Sequence, residues 1–465
     1  MDLVNKLWNF CHTLRHEGVD YNDYIEELTY LLFLKLAEEI DTKIPDGCDW
    51  ATLIQSPDSD LLSNYNSILR ELSNQSGILK DIFSEPIAKI HNSSSLRKLL
   101  NLIDEINWHS YNQDVLGATF EGLLERAANE SKKGAGQYFT PRPLIQAIVK
   151  VMKPDPFESP NFKISDIACG TAGFLTESFA WWKSSNEINK LTNFQREKLV
   201  NNTYIGQELV IRPRRLALMN MYLHGLEPTI ILGDTIYEPI PINEITCSCL
   251  LTNPPFGTKG SNQIPDRDFA IKTSNKQLNF IQHAYEILEP SGRAAIVLPD
   301  SVLFEDKATE LWEYLMKNVN IHTILKLPLG TFSPYAQGVK ANVIFFQKNA
   351  ITEQVWIYDA RTNIPGITKK DRPLSPFHFE DFENCYGDDP NGKGVRLETE
   401  RFKKFDIKNI EERNFNLNIS WINPNTDESN NHLAPDDLLS EAIAETESLL
   451  EELKSIFDSL ESNDK

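Results

Sequence analysis

Basic residues are scarce in this chain: 46 Lys and Arg stand against 67 Asp and Glu, for a net charge of −21. Binding a nucleic-acid backbone by charge alone would favour a basic surface, so unaided binding of that kind is disfavoured. Cysteines are few and scattered, at positions 11, 48, 169, 247, 249 and 385. They form no Cys-x-x-Cys pair and have no histidine at ligand spacing, which argues against a zinc or other metal site and for core packing. No apolar run reaches the ~18 residues that span a bilayer, so no membrane segment is expected. The start, Met1-Asp2-Leu3-Val4-Asn5-Lys6, lacks the basic stretch and apolar core of a secretory signal. A cytoplasmic protein with reduced thiols is the expectation.

What is present suits a large folded chain. Its 465 residues, 41% of them hydrophobic, suggest about three units of ~150 residues each. The acidic excess is uneven: from Trp421 to Lys465 twelve acidic residues meet two basic ones, so the rest of the chain is only mildly acidic. The first 130 residues read as helical, as in Ile25, Leu28, Leu32 and Leu36 within Tyr24 to Glu39. Ser131-Lys132-Lys133-Gly134-Ala135-Gly136 is a small, polar stretch suited to a hinge or binding loop, and Pro141 then opens another helix. The expected domains are therefore 1–130, 131–420 and 421–465.

From about residue 160 strand candidates alternate with helices: Lys163 to Ala168, Thr203 to Gln207, Thr229 to Leu232, Cys249 to Thr252 and Arg293 to Leu298. This alternation predicts an α/β domain with a mostly parallel sheet. Ile321 to Leu327 and Ala341 to Gln347 would close it as a hairpin-like edge, and an irregular extension is expected beyond Trp356. In the tail Leu439, Thr446, Leu453 and Leu460 recur every seven residues, as do Ile443, Leu450 and Phe457. That seam would pack on its own domain or dock on a partner helix, and its charge and terminal position favour docking.

Two stretches carry chemistry. The first strand runs into Asp166-Ile167-Ala168-Cys169-Gly170-Thr171-Ala172-Gly173 at the carboxyl end, where α/β sheets bind ligands. The loop has neither the G-x-G-x-x-G fingerprint nor Gly-Lys-Ser/Thr, so it suits a cofactor with an adenosine but no pyrophosphate. Glu208, ending the second strand, could take ribose hydroxyls, and Asp234, after the third, the cofactor's adenine amino group. Each acid alone could be a plain turn or cap residue. The fourth strand ends in Asn253-Pro254-Pro255-Phe256. A rigid proline turn is the bland reading. Chemically, an exocyclic adenine nitrogen is a poor nucleophile because its lone pair is delocalised, and two acceptors on its hydrogens help to localise that pair. The Asn253 side-chain oxygen and the Pro254 carbonyl can supply them, with the prolines stiffening the turn and Phe256 stacking on an adenine taken out of the duplex. No metal and no strong general base are required.

These motifs resemble the N6-adenine DNA methyltransferases in which one cofactor motif precedes the glycine loop, and more narrowly the modification subunit of Type I restriction-modification systems. The upstream motif looks like Gly134-Ala135-Gly136-Gln137-Tyr138-Phe139-Thr140-Pro141-Arg142, whose family counterpart contacts the methionine part of S-adenosyl-L-methionine (AdoMet). Leu7 to His12, Glu27 to Lys35, Thr273 to Leu278, Gly292 to Asp300 and Gly338 to Val343 look like further family strings. Ile167 departs from the Asp-Pro start common among relatives.

The resemblance implies a Rossmann-like AdoMet-dependent methyltransferase sheet, preceded by an all-α N-terminal domain and followed by a C-terminal helical tail. It implies methyl transfer to adenine N6 in DNA, beside a specificity subunit that reads the sequence, a second methyltransferase copy and a restriction (translocase-nuclease) subunit. Borrowed DNA affinity would explain the acidic chain. A stand-alone adenine methyltransferase would need a basic recognition segment that is not evident. A protein-glutamine methyltransferase usually has Tyr at position 256 and lacks the helical N-terminal domain, and a non-catalytic scaffold has no need of Gly170, Glu208 and Asn253.

Overall fold

The computed structural model describes residues 3–37, 44–108, 111, 113–130, 139–238, 242–256, 263–333, 339–368 and 372–424. Gln137 and Tyr138 of the upstream motif, its three preceding residues and the whole heptad tail lie outside the described residues. The chain falls into two compact units, one from Met1–Ala135 and Pro156–Pro239, the other from Gly136–Asp155 and Ile240–Lys465.

The first unit opens with seven helices: α1 (Leu3–Arg15), α2 (Tyr21–Ala37), α3 (Trp50–Gln55), α4 (Leu61–Ser73), α5 (Ile78–Ile82), α6 (Ser93–Asp104) and α7 (Gln113–Glu130). Helix α2 is buried on all sides, Glu26 and Glu27 included. A helix apolar all round belongs in a core, and its two buried acids need partners. Glu26 meets the Arg215 guanidinium, and Glu27 accepts the Tyr65 hydroxyl at 2.6 Å. Three parallel strands complete the unit, β1 (Ile164–Asp166), β2 (Tyr204–Glu208) and β3 (Thr229–Leu232), with β2 in the middle. Helices α9 (Gly173–Ser185) and α10 (Asn193–Asn201) separate β1 from β2, and α11 (Ile211–Leu223) separates β2 from β3. The two helices before β2 account for the long interval between the glycine loop and Glu208.

The second unit contains α8 (Arg142–Met152), which starts after Pro141 as expected, and the strands β4 (Cys247–Thr252), β5 (Leu288–Pro299), β6 (Val319–Lys326), β7 (Ala341–Lys348), β8 (Gln354–Asp359) and β9 (Phe402–Asp406). Helices α12 (Ile242–Ile245), α13 (Lys276–Ile287), α14 (Asp306–Leu315), α15 (Glu380–Tyr386) and α16 (Ile407–Glu411) lie between and around them. All six residues of β4 are buried, as suits a strand covered on both faces. It pairs in parallel with β5. Strand β7 then runs antiparallel between β5 and β6.

Strands β6 and β7 therefore pair as expected but do not form the edge: β8 adds in parallel to β6, and β9 pairs antiparallel with β8. The segment read as irregular beyond Trp356 thus supplies the second half of β8, the whole of β9 and the helices α15 and α16. The reason lies in burial. β8 hides Val355 to Asp359, whereas β9 alternates Phe402, Lys403, Lys404, Phe405 and Asp406 with only Phe402 buried, the profile of an edge strand with little hydrophobic signal. Five of the six cysteines are buried and all are free thiols. Among the described residues no helix is long and apolar enough to cross a membrane.

Candidate active site

In the first unit the carboxyl ends of the three strands are stitched together around the glycine loop. Asp166, buried at the end of β1, accepts the Ala168 N–H at 3.1 Å. The Cys169 N–H donates to the Gln207 carbonyl at 2.9 Å, and that of Ala172 to the Cys169 carbonyl at 2.7 Å. Gly170 has φ +53° with nothing within 4 Å of the place a Cβ would take, so a ligand can approach its backbone closely. Ala172 is also left-handed, at φ +64°, and caps α9.

Glu208 lies beside this loop. Its Oε2 accepts the Gly170 N–H at 3.0 Å and its Oε1 that of Val210 at 3.0 Å. Burial pushes its carboxyl above the ordinary range, while the N–H groups of Val210, Gly170 and Leu209 hold it down. A carboxylate has about four acceptor sites, so capacity for a sugar hydroxyl remains. Asp234 is held near Glu208 by the bond from the Gly233 N–H to the Glu208 carbonyl, 3.1 Å. Its Oδ1 caps the following turn, accepting Ile236 and Tyr237 N–H at 2.8 and 2.9 Å, so one oxygen carries the ordinary turn role weighed against ligand binding. Open space over Gly170 beside a partly buried carboxylate fits the adenosine part of AdoMet.

In the second unit the Asn253 amide is tied at one end: its Nδ2 donates to Thr140 Oγ1 at 2.8 Å. Its Oδ1 is buried and has no hydrogen-bond partner among the described residues. A buried acceptor of this kind costs stability unless something fills it. Pro255 offers its carbonyl to Gln277 Nε2 at 3.4 Å. The Phe256 ring stands edge to face with Phe332, centroids 5.2 Å apart at 88°. Phe139, Thr140, Pro141 and Arg142 are half-buried at the start of α8.

The structure thus joins Gly170 to Glu208 and Asn253 to Thr140, a residue expected beside the methionine part of the cofactor. Sequence reasoning missed Gln277, Phe332 and the Thr140 contact. Gln277 sits in a string already picked out by resemblance, whereas Phe332 had no local signal.

An α/β fold with this loop and this Asn-Pro-Pro-Phe turn is that of a methyltransferase class, and a family model described as N-6 DNA Methylase matches residues 111–431. A second, described as HsdM N-terminal domain, matches residues 3–44. The chain belongs to the N-6 DNA methylase family and, within it, to the Type I restriction enzyme methylase subunits. It is 38% identical to the StySJI methylase subunit of Salmonella typhimurium, over all of this chain and 96% of that one. The EcoKI methylase subunit of Escherichia coli is 37% identical over the same shares. A crystal structure of the EcoKI M protein matches 99% of this chain and 96% of that one at 34% identity, with a TM-score of 0.57. A chain from a structure concerning complex assembly and conformational transition of the type I R-M system matches 99% and 98% at 26% identity, with a TM-score of 0.75.

Proposed function

We propose that this subunit transfers a methyl group from AdoMet to N6 of adenine in DNA, at a site chosen by a partner specificity subunit. The observation that carries the reading is the buried Asn253 Oδ1, without a partner among the described residues, on an amide whose Nδ2 is already tied to Thr140. It is an acceptor waiting for an N–H donor, and an adenine amino group is such a donor. Asn253 Oδ1 takes one N6 hydrogen and the Pro254 carbonyl the other, which keeps the nitrogen lone pair available for attack. Pro254 and Pro255 hold both acceptors in place. Phe256, its plane set by Phe332, stacks on the extruded base and offsets part of the few kcal/mol of unstacking.

AdoMet, when bound, supplies an electrophilic methyl group on a sulfonium. Gly170, Thr171, Ala172 and Gly173 would give its adenosine a close backbone surface, Glu208 would take the ribose hydroxyls and Asp234 the adenine amino group, with Asp166 bracing the loop, and the Gln137 to Arg142 segment would serve the methionine part. Residues 131–420, after the helical domain 1–130, carry the reaction and the tail 421–465 docks on a partner, in the cytoplasm where the DNA lies. The partners are the specificity subunit, a second copy of this chain and a restriction subunit, as the resemblance to the Type I modification subunits implies.

Asn253→Ala tests the reading in the assembled enzyme. Loss of a fixed polar contact to the reacting group lowers the rate by about 10²- to 10³-fold, read as N6-methyladenine formed per minute, with AdoMet affinity retained. Undiminished methylation overturns it.

A further inference from the structure

Helix α11 starts three residues after Glu208 and buries nine of its thirteen residues, so it is held from nearly every side. Its first half is anchored to the N-terminal helices. Arg215, 2% exposed, pairs with Glu26 of α2 and donates through Nε to the Ile82 carbonyl at 2.7 Å. Arg212 adds a contact to Glu26 at 2.9 Å. At the other end His224 presses on α7: a Cβ on Gly117 would come within 2.5 to 2.8 Å of three atoms of its ring. The His224 Nδ1 lies 2.8 Å from the Asn220 carbonyl, which can only accept, so that nitrogen carries the proton.

Asn220 lies between these anchors and is 1% exposed. Its Nδ2 donates to the Thr171 carbonyl at 3.0 Å, while its Oδ1 is buried without a partner among the described residues. An amide with an unfilled buried acceptor is a poor choice for packing alone, since leucine would fill the space without that cost. What the amide adds is a donor for Thr171. That residue stands between two left-handed neighbours, Gly170 and Ala172. Such backbone persists only where its surroundings hold it.

We infer that Asn220 is a positioning residue for the cofactor: it holds the Thr171 peptide so that the Gly170 loop is formed before AdoMet arrives. Because α11 is anchored on α2 and α7, the packing of the N-terminal helices sets how fully the loop is preformed. This rests on the reading of that loop as the AdoMet site. A loop that is preformed only part of the time binds proportionally more weakly.

The test uses the full-length subunit for calorimetry with AdoMet and the assembled enzyme for kinetics. Asn220→Leu should raise the AdoMet Kd and KM together by about five- to tenfold, leaving kcat at saturating AdoMet within about twofold, and the Tm should not fall. Gly117→Ala, remote from the loop, should raise the Kd in the same direction, and the double variant should be less than additive. If Asn220→Leu does not fold, Asn220→Ser, too short to reach Thr171, should give the same Kd change. Unchanged AdoMet affinity in the folded Asn220 variant, or a fall in kcat at constant KM, overturns the inference. Glu208→Ala separates the two levels. If it too leaves AdoMet affinity unchanged, the cofactor-site reading fails; if it alone weakens binding, only the role of Asn220 fails.

Discussion

Replacing Glu27 by Gln should stabilise the protein above neutral pH and leave it unchanged in acid. The side chain is 0% exposed in the middle of α2. Its Oε2 accepts the Tyr65 hydroxyl at 2.6 Å, and its Oε1 accepts the Lys89 N–H and, at 3.3 Å, that of Ile90. Burial pushes the carboxyl from an ordinary 4.5 to about 7, with the backbone N–H of Lys89 and the Tyr65 hydroxyl acting in the opposite direction. Between those two values the native state holds a proton that the unfolded chain has released, so stability falls as pH rises from 4.5 to about 7 and stays reduced above it. At 1.36 kcal/mol per tenfold change, that interval amounts to about 3 kcal/mol. Glutamine keeps an oxygen for the two backbone donors and offers its Nε2 to the Tyr65 oxygen, so the contacts survive without the charge. Urea unfolding of both proteins side by side from pH 4.5 to 8 measures the difference. Burial lowers His283 and His322, whose effect on stability runs the other way, but both proteins share it and it cancels. A difference that does not vary with pH, or a variant less stable than the parent at pH 8, refutes the reasoning.

Phe332→Leu removes the ring that stands against Phe256 at 5.2 Å. With an aromatic pair contributing about 1 kcal/mol, the methylation rate at limiting DNA should fall by about fivefold while AdoMet affinity holds; an equal loss of AdoMet affinity would point instead to general misfolding. Gly330→Ala puts a side chain at φ +75°, where its Cβ would lie 2.2 Å from the Ile367 carbonyl oxygen. Thermal unfolding should show a loss of more than ~1 kcal/mol, and an unchanged Tm would mean that the loop yields freely. Deleting Leu439 to Lys465 should impair subunit assembly more than AdoMet binding, and a complex of normal size in size-exclusion chromatography would exclude the docking role.

The proposed reacting turn was legible because the chemistry proposed for it needs particular residue types in unbroken order, and Asn253 to Phe256 stand together at a strand end. The glycine loop and Glu208 were legible for a similar reason, each marking the carboxyl end of a strand whose burial shows in its composition. The Thr140 contact was not. Its partner lies 113 residues away, and nothing in Phe139-Thr140-Pro141 tells a cofactor contact from a contact with an amide.

By itself the sequence determined the α/β class, the helical start and the side chains available for chemistry, because periodicity and residue type are local properties. The tertiary structure decided which amide oxygen has no donor among the described residues, that Arg215 and Glu26 are a buried pair rather than surface charges, and that Asn220 reaches the glycine loop. It also decided that β9 exists, since an edge strand with a single buried residue leaves almost no apolar pattern and forms only because β8 offers it a partner. Those outcomes depend on which distant segments meet, and contacts between distant segments are settled by packing the whole chain at once.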